Sequence, residues 1–79
     1  MTVTFAVEQA GCASCAALVR EALEPLGAVR SVDIDETADE AMVVLDAAAT
    51  QEEVDAALAA AAEGAGHAYR VRAGSWHPA

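Results

Sequence analysis

The feature that most constrains this chain is the order in which two hydrophobic periodicities follow one another. In TVTFAVE, residues 2–8, apolar residues alternate and place Val3, Phe5 and Val7 on one face of a strand. From Ser14 to about Leu26 the spacing becomes helical. Cys15, Leu18, Val19, Ala22, Leu23 and Leu26 then share one side, opposite Arg20, Glu21 and Glu24. Gly27 is expected to cap this helix, and Pro25 marks it as already ending or distorted. Period two returns in AVRSVDID, with Val32 and Ile34 on one face, and again in AMVVL after the polar turn ETADE, stopping at Asp46. Thr50 and Glu53 have the spacing of a capping box. They open a helix to about Ala62 with Val54, Ala57, Leu58 and Ala61 as its core stripe, and the glycines of EGAGH end it. HAYRVR reads as a last short strand. The stretch AGSWHPA has no period and contains Pro78, so residues 73–79 are expected to form a flexible tail behind a domain of residues 1–72.

Strand, helix, strand, strand, helix, strand predicts an α+β fold. Its expected form is a four-stranded antiparallel sheet with both helices on one face, the split βαβ arrangement. The two halves look like a loose duplication of one βαβ unit, of which only the first carries cysteine. With 79 residues there is room for one domain. The chain is 56% apolar, but much of that is alanine, which predicts a small, thinly furnished core.

A formal net charge of −9 repels phosphate backbones and anionic lipid heads, so nucleic acid and membrane insertion are disfavoured as partners. The same charge suits a partner with a basic patch. No apolar run approaches the ~20 residues that span a bilayer. The start MTVTFAVEQ has neither the basic segment nor the apolar run of a signal peptide. A cytoplasmic protein with reduced thiols is therefore the expectation.

Both cysteines lie in QAGCASCAAL, three residues apart, where strand gives way to helix. Around such a start, Cys12 and Cys15 project to the same side and their sulfurs can converge. Gly11 permits a turn in front of them. The unpaired N–H groups and positive dipole end of a helix favour thiolate over thiol. Ser14 is expected to cap the helix, or else to donate a hydrogen bond to a sulfur. Two converging thiolates nearly suffice for Cu(I), whereas zinc normally takes four ligands. A disulfide, or a dithiol redox pair of thioredoxin type, fits the spacing equally well. Against the redox reading stand the short chain, the order of its elements, and the absence of an aromatic-flanked Cys-Gly-Pro-Cys loop. Nothing pairs with the cysteines for acid–base work and no glycine loop cradles phosphate, so the chain is not expected to be an enzyme.

Over residues 2–72 the sequence resembles the heavy-metal-associated domain family of copper chaperones and of the N-terminal modules of metal-transporting P-type ATPases. The resemblance rests on Cys12-Ala13-Ser14-Cys15 after the first strand, on LGAVRSVDID, on the acidic stop at Asp46, and on GAGHAYRV before the last strand. It implies a ferredoxin-like βαββαβ sandwich. It also implies one Cu(I) held by Cys12 and Cys15 and passed through shared-ligand intermediates to a partner's cysteines. That partner would be a copper-transporting P-type ATPase or another metal-binding domain, with a copper-bridged homodimer as a variant. Ag(I), Zn(II) and Hg(II) are the alternative ions. Zinc- and cadmium-selective relatives often carry Asp just before the first cysteine. Gly11 stands there, with Glu8 the nearest upstream carboxylate, which favours copper.

Three positions depart from the family pattern or bear on the ligand set. Ala10 stands where the family usually has a methionine packed inward to hold the loop, and Gln9 where it usually has glycine. Losing a buried methionine costs of order 2–5 kcal/mol unless a neighbour fills the space. His67 stands where most relatives have another residue, although some bacterial copper chaperones also carry histidine; it is the candidate third metal ligand, which would tighten Cu(I) binding and make it pH-sensitive. His77 is assigned no role. Ala13, Ala16 and Ala17 form a small flat surface on which a second cysteine pair can approach.

Overall fold

A computed structural model of the protein describes residues 1–63 and 65–78. Gly64, one of the glycines expected to end the second helix, and Ala79 lie outside the described residues. The elements are β1 (Thr2–Glu8), α1 (Ala13–Leu23), β2 (Ala28–Asp35), β3 (Glu40–Asp46), α2 (Gln51–Ala62), β4 (Arg70–Val71) and β5 (His77–Pro78). The sheet is antiparallel with spatial order β2-β3-β1-β4, and β5 also pairs with β1. This is the ferredoxin-like α+β fold that the element order predicts.

Register explains which side is core. Val3 lies opposite Leu45, Phe5 opposite Val43 and Val7 opposite Ala41, and all six are buried. Alternation puts them on one face. Cys15, Val19 and Leu23 of α1 and Val54 and Leu58 of α2 complete the same cluster, so both helices cover that face. Each fully buried Leu, Val or Phe contributes about 1.5–3 kcal/mol relative to exposure. With so few large side chains, the small buried Ala10 and Ala41 belong to the same cluster and let backbone segments approach closely.

The α-helix of the first half stops at Leu23, short of Leu26, and a 3₁₀ turn over Glu24–Leu26 follows. Pro25 has no N–H to continue the ladder. Gly27 closes that turn by donating its N–H to the Glu24 carbonyl (3.3 Å). Its φ of 166° is extended, not left-handed. Glycine is needed there for space, because a Cβ would run into the side chain of Ala47 and the carbonyl of Asp46.

Residues 73–78, expected to belong to a tail without period, are placed along the sheet. Pro78 and His77 lie opposite Val3 and Thr4, along the same edge of β1 on which β4 pairs with Val7 and Glu8. Between the two pieces the strand bulges outward. Arg72 N–H donates to the Ala6 carbonyl (2.8 Å), and the Ser75 hydroxyl accepts from Ala6 N–H (3.1 Å) while donating to the Arg72 carbonyl (2.7 Å). The buried serine thus satisfies a backbone group that the broken ladder leaves open. Trp76 then stacks on Phe5 with ring centroids 5.2 Å apart, closing the edge of the core. Pro78 is compatible with this position because, among the described residues, β5 pairs only with β1 and its outer edge is free.

Candidate metal centre

The chain leaves β1 at Glu8 and must turn sharply to enter α1. Gln9 makes the turn with φ of 60°, in the left-handed region. For a residue with a Cβ this costs about 1–2 kcal/mol. Its side chain offsets part of that cost, since Gln9 Oε1 accepts the Ala68 N–H at 3.1 Å and ties this loop to the one before β4.

The next two residues are held from the other side by the β2–β3 turn. Ala10 N–H donates to the Asp39 carbonyl (3.2 Å), and Gly11 N–H donates to Asp39 Oδ1 (3.1 Å). A Cβ on Gly11 would lie 2.6 Å from Asp39 Cα, so only glycine allows this approach. Asp39 is itself left-handed (φ 54°), a conformation that Asp tolerates better than most residues.

Cys12 then opens the helix. Its backbone is extended (φ −133°, ψ 159°), and its Sγ accepts the Cys15 N–H at 3.2 Å. Cysteine, not Ser14, is therefore the N-cap of α1. The Ser14 hydroxyl lies 3.5 Å from Cys12 Sγ, which is the second of the two roles expected for it. The first turn of α1 carries no acidic residue, so the dipole end is left to the sulfurs.

The structure brings Cys12 and Cys15 together, with Cα atoms 5.1 Å apart and the two sulfurs joined as a disulfide. The two sulfurs are not equally accessible. Cys15 is 2% exposed and belongs to the hydrophobic core, whereas Cys12 is half-buried at its edge. Any reagent, reductant or partner thiolate meets Cys12 first.

His67 is not gathered with them. It is exposed, and its ring stacks on Tyr69 with centroids 5.7 Å apart. Among the described residues no group of three or more His, Cys, Asp or Glu side chains is placed to hold a metal ion. His77 pairs in β5 far along the chain from the loop. Glu8 faces Arg70 at a long 3.9 Å, an exposed pair of little energetic weight.

Sequence reasoning missed two residues. Asp39 was read only as part of a polar turn; the available signal was that Asp suits a left-handed position just before a strand. Tyr69, 3% exposed, shares the core cluster with Ala10 and Cys15, so the missing methionine leaves no opening to solvent at Ala10. Its hydroxyl has no hydrogen-bond partner among the described residues. Burial, and secondarily the charge of Asp39, push the Tyr69 phenol above its ordinary range.

The model of the heavy-metal-associated domain matches residues 4–67, most of the chain. The chain belongs to the heavy-metal-associated domain family. The solved structure of oxidised MerP from Ralstonia metallidurans CH34 is similar at 24% identity and a TM-score of 0.58, covering 91% of this chain and 99% of that one. A second, reported under the words "Crosstalk between Cu(I) and Zn(II) homeostasis", is similar at 26% identity and a TM-score of 0.55, covering 86% and 96%. No curated protein sequence matches the chain. The CxxC pair of this heavy-metal-associated domain suits a soft metal ion as cargo, since two sulfurs converge on one point at a helix N-terminus. No helix among the described residues is long and apolar enough to cross a membrane.

Proposed function

We propose that this heavy-metal-associated domain binds Cu(I) through Cys12 and Cys15 and hands it to a partner that presents its own cysteines. The observation that carries the reading is the convergence of the two sulfurs at the start of α1, one half-buried and one in the core. An external dithiol reductant supplies two electrons and two protons, becoming a disulfide as the Cys12–Cys15 bond opens to two thiols. One Cu(I) then displaces the two thiol protons and is held by the two sulfurs, a low ligand number that copper accepts and zinc does not. A similar structure is described in terms of Cu(I) and Zn(II) homeostasis, which is consistent with copper as the ion and keeps zinc as its rival.

The unequal exposure suggests the order of transfer. A partner thiolate reaches the ion on the Cys12 side, three sulfurs share it, Cys12 lets go, and Cys15 releases last from its buried position. Ala13 and Ala17 are exposed beside the pair and offer little steric resistance to a second cysteine loop. The partner of this reading is a copper-transporting P-type ATPase or another metal-binding domain with a basic rim, in the cytoplasm, with a copper-bridged homodimer as the symmetric case. The domain acts as a carrier and not as an enzyme. His67 is retained as a third ligand that leaves its stack on Tyr69 to reach the ion, a movement for which its exposed loop position leaves room.

Competition titration of the reduced protein with Cu(I), Ag(I), Zn(II) and Hg(II) against chelators tests the choice of ion. Copper retained at one equivalent against a strong chelator, with zinc lost to a weak one, is the expected result; the reverse order replaces copper with zinc. The joined sulfurs support one rival, a dithiol–disulfide redox protein. Metal-free turnover in an insulin reduction assay would favour it.

A further inference from the structure

We propose that Asp39 is a positioning residue of the cysteine loop, gripping the N–H groups of Ala10 and Gly11 from outside and so fixing where Cys12 begins the helix. The inference rests on the metal-binding reading for its purpose, but not for its geometry. Ala10 and Gly11 bring almost no side chain to this turn, so it is held through their backbone N–H groups. Asp39 makes both available backbone contacts, at 3.2 Å from its carbonyl and 3.1 Å from Oδ1. Its own place is fixed by the β2–β3 turn, where Asp39 N–H donates to the Glu36 carbonyl (3.3 Å) and Ala38 N–H donates to Asp35 Oδ1 (3.2 Å).

The contact is built closely and not merely by chance of surface charge. Gly11 packs so near that a Cβ would fall 2.6 Å from Asp39 Cα, 2.9 Å from Oδ1 and 3.0 Å from the Asp35 carbonyl. On the far side Gln9 Oε1 holds Ala68 N–H, so residues 9–11 are pinned to two neighbouring loops at once. Just beyond them, Cys12 Sγ caps α1 through Cys15 N–H. A shift of the turn would move Cys12 while Cys15, locked in the core, stays put, so the separation of the two sulfurs depends on this grip.

The test uses two substitutions that keep the left-handed backbone. Asp39→Gly removes the side-chain acceptor while leaving the carbonyl that Ala10 uses, and Asp39→Asn keeps an oxygen acceptor but removes the charge. In the reduced protein, Asp39→Gly is expected to speed amide exchange at Gly11 roughly five- to tenfold and to weaken Cu(I) retention by a similar factor. Amides of β3 such as Val43 stay unchanged, which separates the loop from global loosening. Asp39→Asn is expected to restore both readouts to within about twofold of the parent, as a neutral acceptor still makes the bond. Unchanged Gly11 exchange in Asp39→Gly overturns the proposal, as does an Asp39→Asn variant that loses as much as the glycine variant. A parent that retains no copper sinks the metal reading alone, because Gly11 exchange still decides the role of Asp39.

Discussion

The N-termini of the two helices are built to one geometric plan and put to different uses. At α2, Thr50 Oγ1 accepts the Glu53 N–H at 3.2 Å and Glu53 Oε1 accepts the Thr50 N–H at 3.1 Å, a complete capping box with Glu52 and Glu53 in the first turn. At α1, Cys12 Sγ accepts the Cys15 N–H at the same 3.2 Å, but there is no return bond and no carboxylate in the first turn. One helix end is satisfied for stability. The other leaves its positive end to sulfur, the charge that a thiolate or a metal–thiolate pair supplies on demand. At α1 the cap is the sulfur itself, with no carboxylate in the first turn to compete for the helix end.

The largest effect that can break this contrast comes from the cysteines. Cys12→Ser and Cys15→Ser should each abolish stoichiometric Cu(I) retention, measured by metal analysis after chelator challenge. They should differ in stability. Serine caps helices well, so Cys12→Ser should melt close to the reduced parent. Cys15→Ser puts a hydroxyl into the core and should lose about 1–3 kcal/mol unless it finds a partner. Equal melting temperatures for the two variants would show that Cys15 is not the buried member of the pair.

Thr50→Ala probes the other helix. It should cost about 1 kcal/mol, or roughly 4–8 °C in melting temperature for a domain of this size, and leave copper affinity unaltered. A matching loss of copper would mean that the two ends are coupled. His67→Ala is expected to weaken Cu(I) binding modestly and to flatten its dependence on pH between acidic and neutral. If the parent and variant respond identically to pH, His67 leaves the ligand list.

The smallest effect belongs to the end of the sheet away from the cysteines. Arg30 (2.7 Å) and the N-terminal ammonium (3.4 Å) hold the Asp46 carboxyl below its ordinary range. A depressed carboxyl stabilises the fold at pH above its unfolded value and loses that contribution as the pH falls through the folded one. Acid titration of Asp46→Asn should therefore show a slightly flatter loss of stability below about pH 4 than the parent. Tyr69 acts at the opposite limit. Its raised phenol favours the fold up to about pH 10, and that contribution is lost as the pH rises through the higher folded value. Tyr69→Phe removes a hydroxyl without a partner and should straighten the alkaline limb.

The parts of this molecule that could be read from sequence are those governed by local pattern. Val3, Phe5 and Val7 alternate because one face of β1 is core and the other is not, and Thr50 with Glu53 names its own helix start. The cysteine pair was visible for the same reason, as a three-residue spacing at a change of period. What escaped depends on partners far along the chain. Ser75 and Trp76 become structure only because Ala6 and Phe5 lie across from them, some 70 residues earlier. The cap of α1 passed from Ser14 to Cys12 because Asp39 sets where the turn ends, and no window around the cysteines contains Asp39. Gln9 in a left-handed conformation is likewise legible only once Ala68 is seen to donate its N–H to the Gln9 side chain.

The most direct measurement is anaerobic titration of the fully reduced protein with Cu(I), followed by X-ray absorption at the copper edge. The account predicts saturation at one equivalent with a first shell of two sulfurs, joined by one nitrogen in the parent and not in His67→Ala. A reduced protein that leaves copper with the competing chelator, or a shell built of oxygen and nitrogen without sulfur, would contradict it.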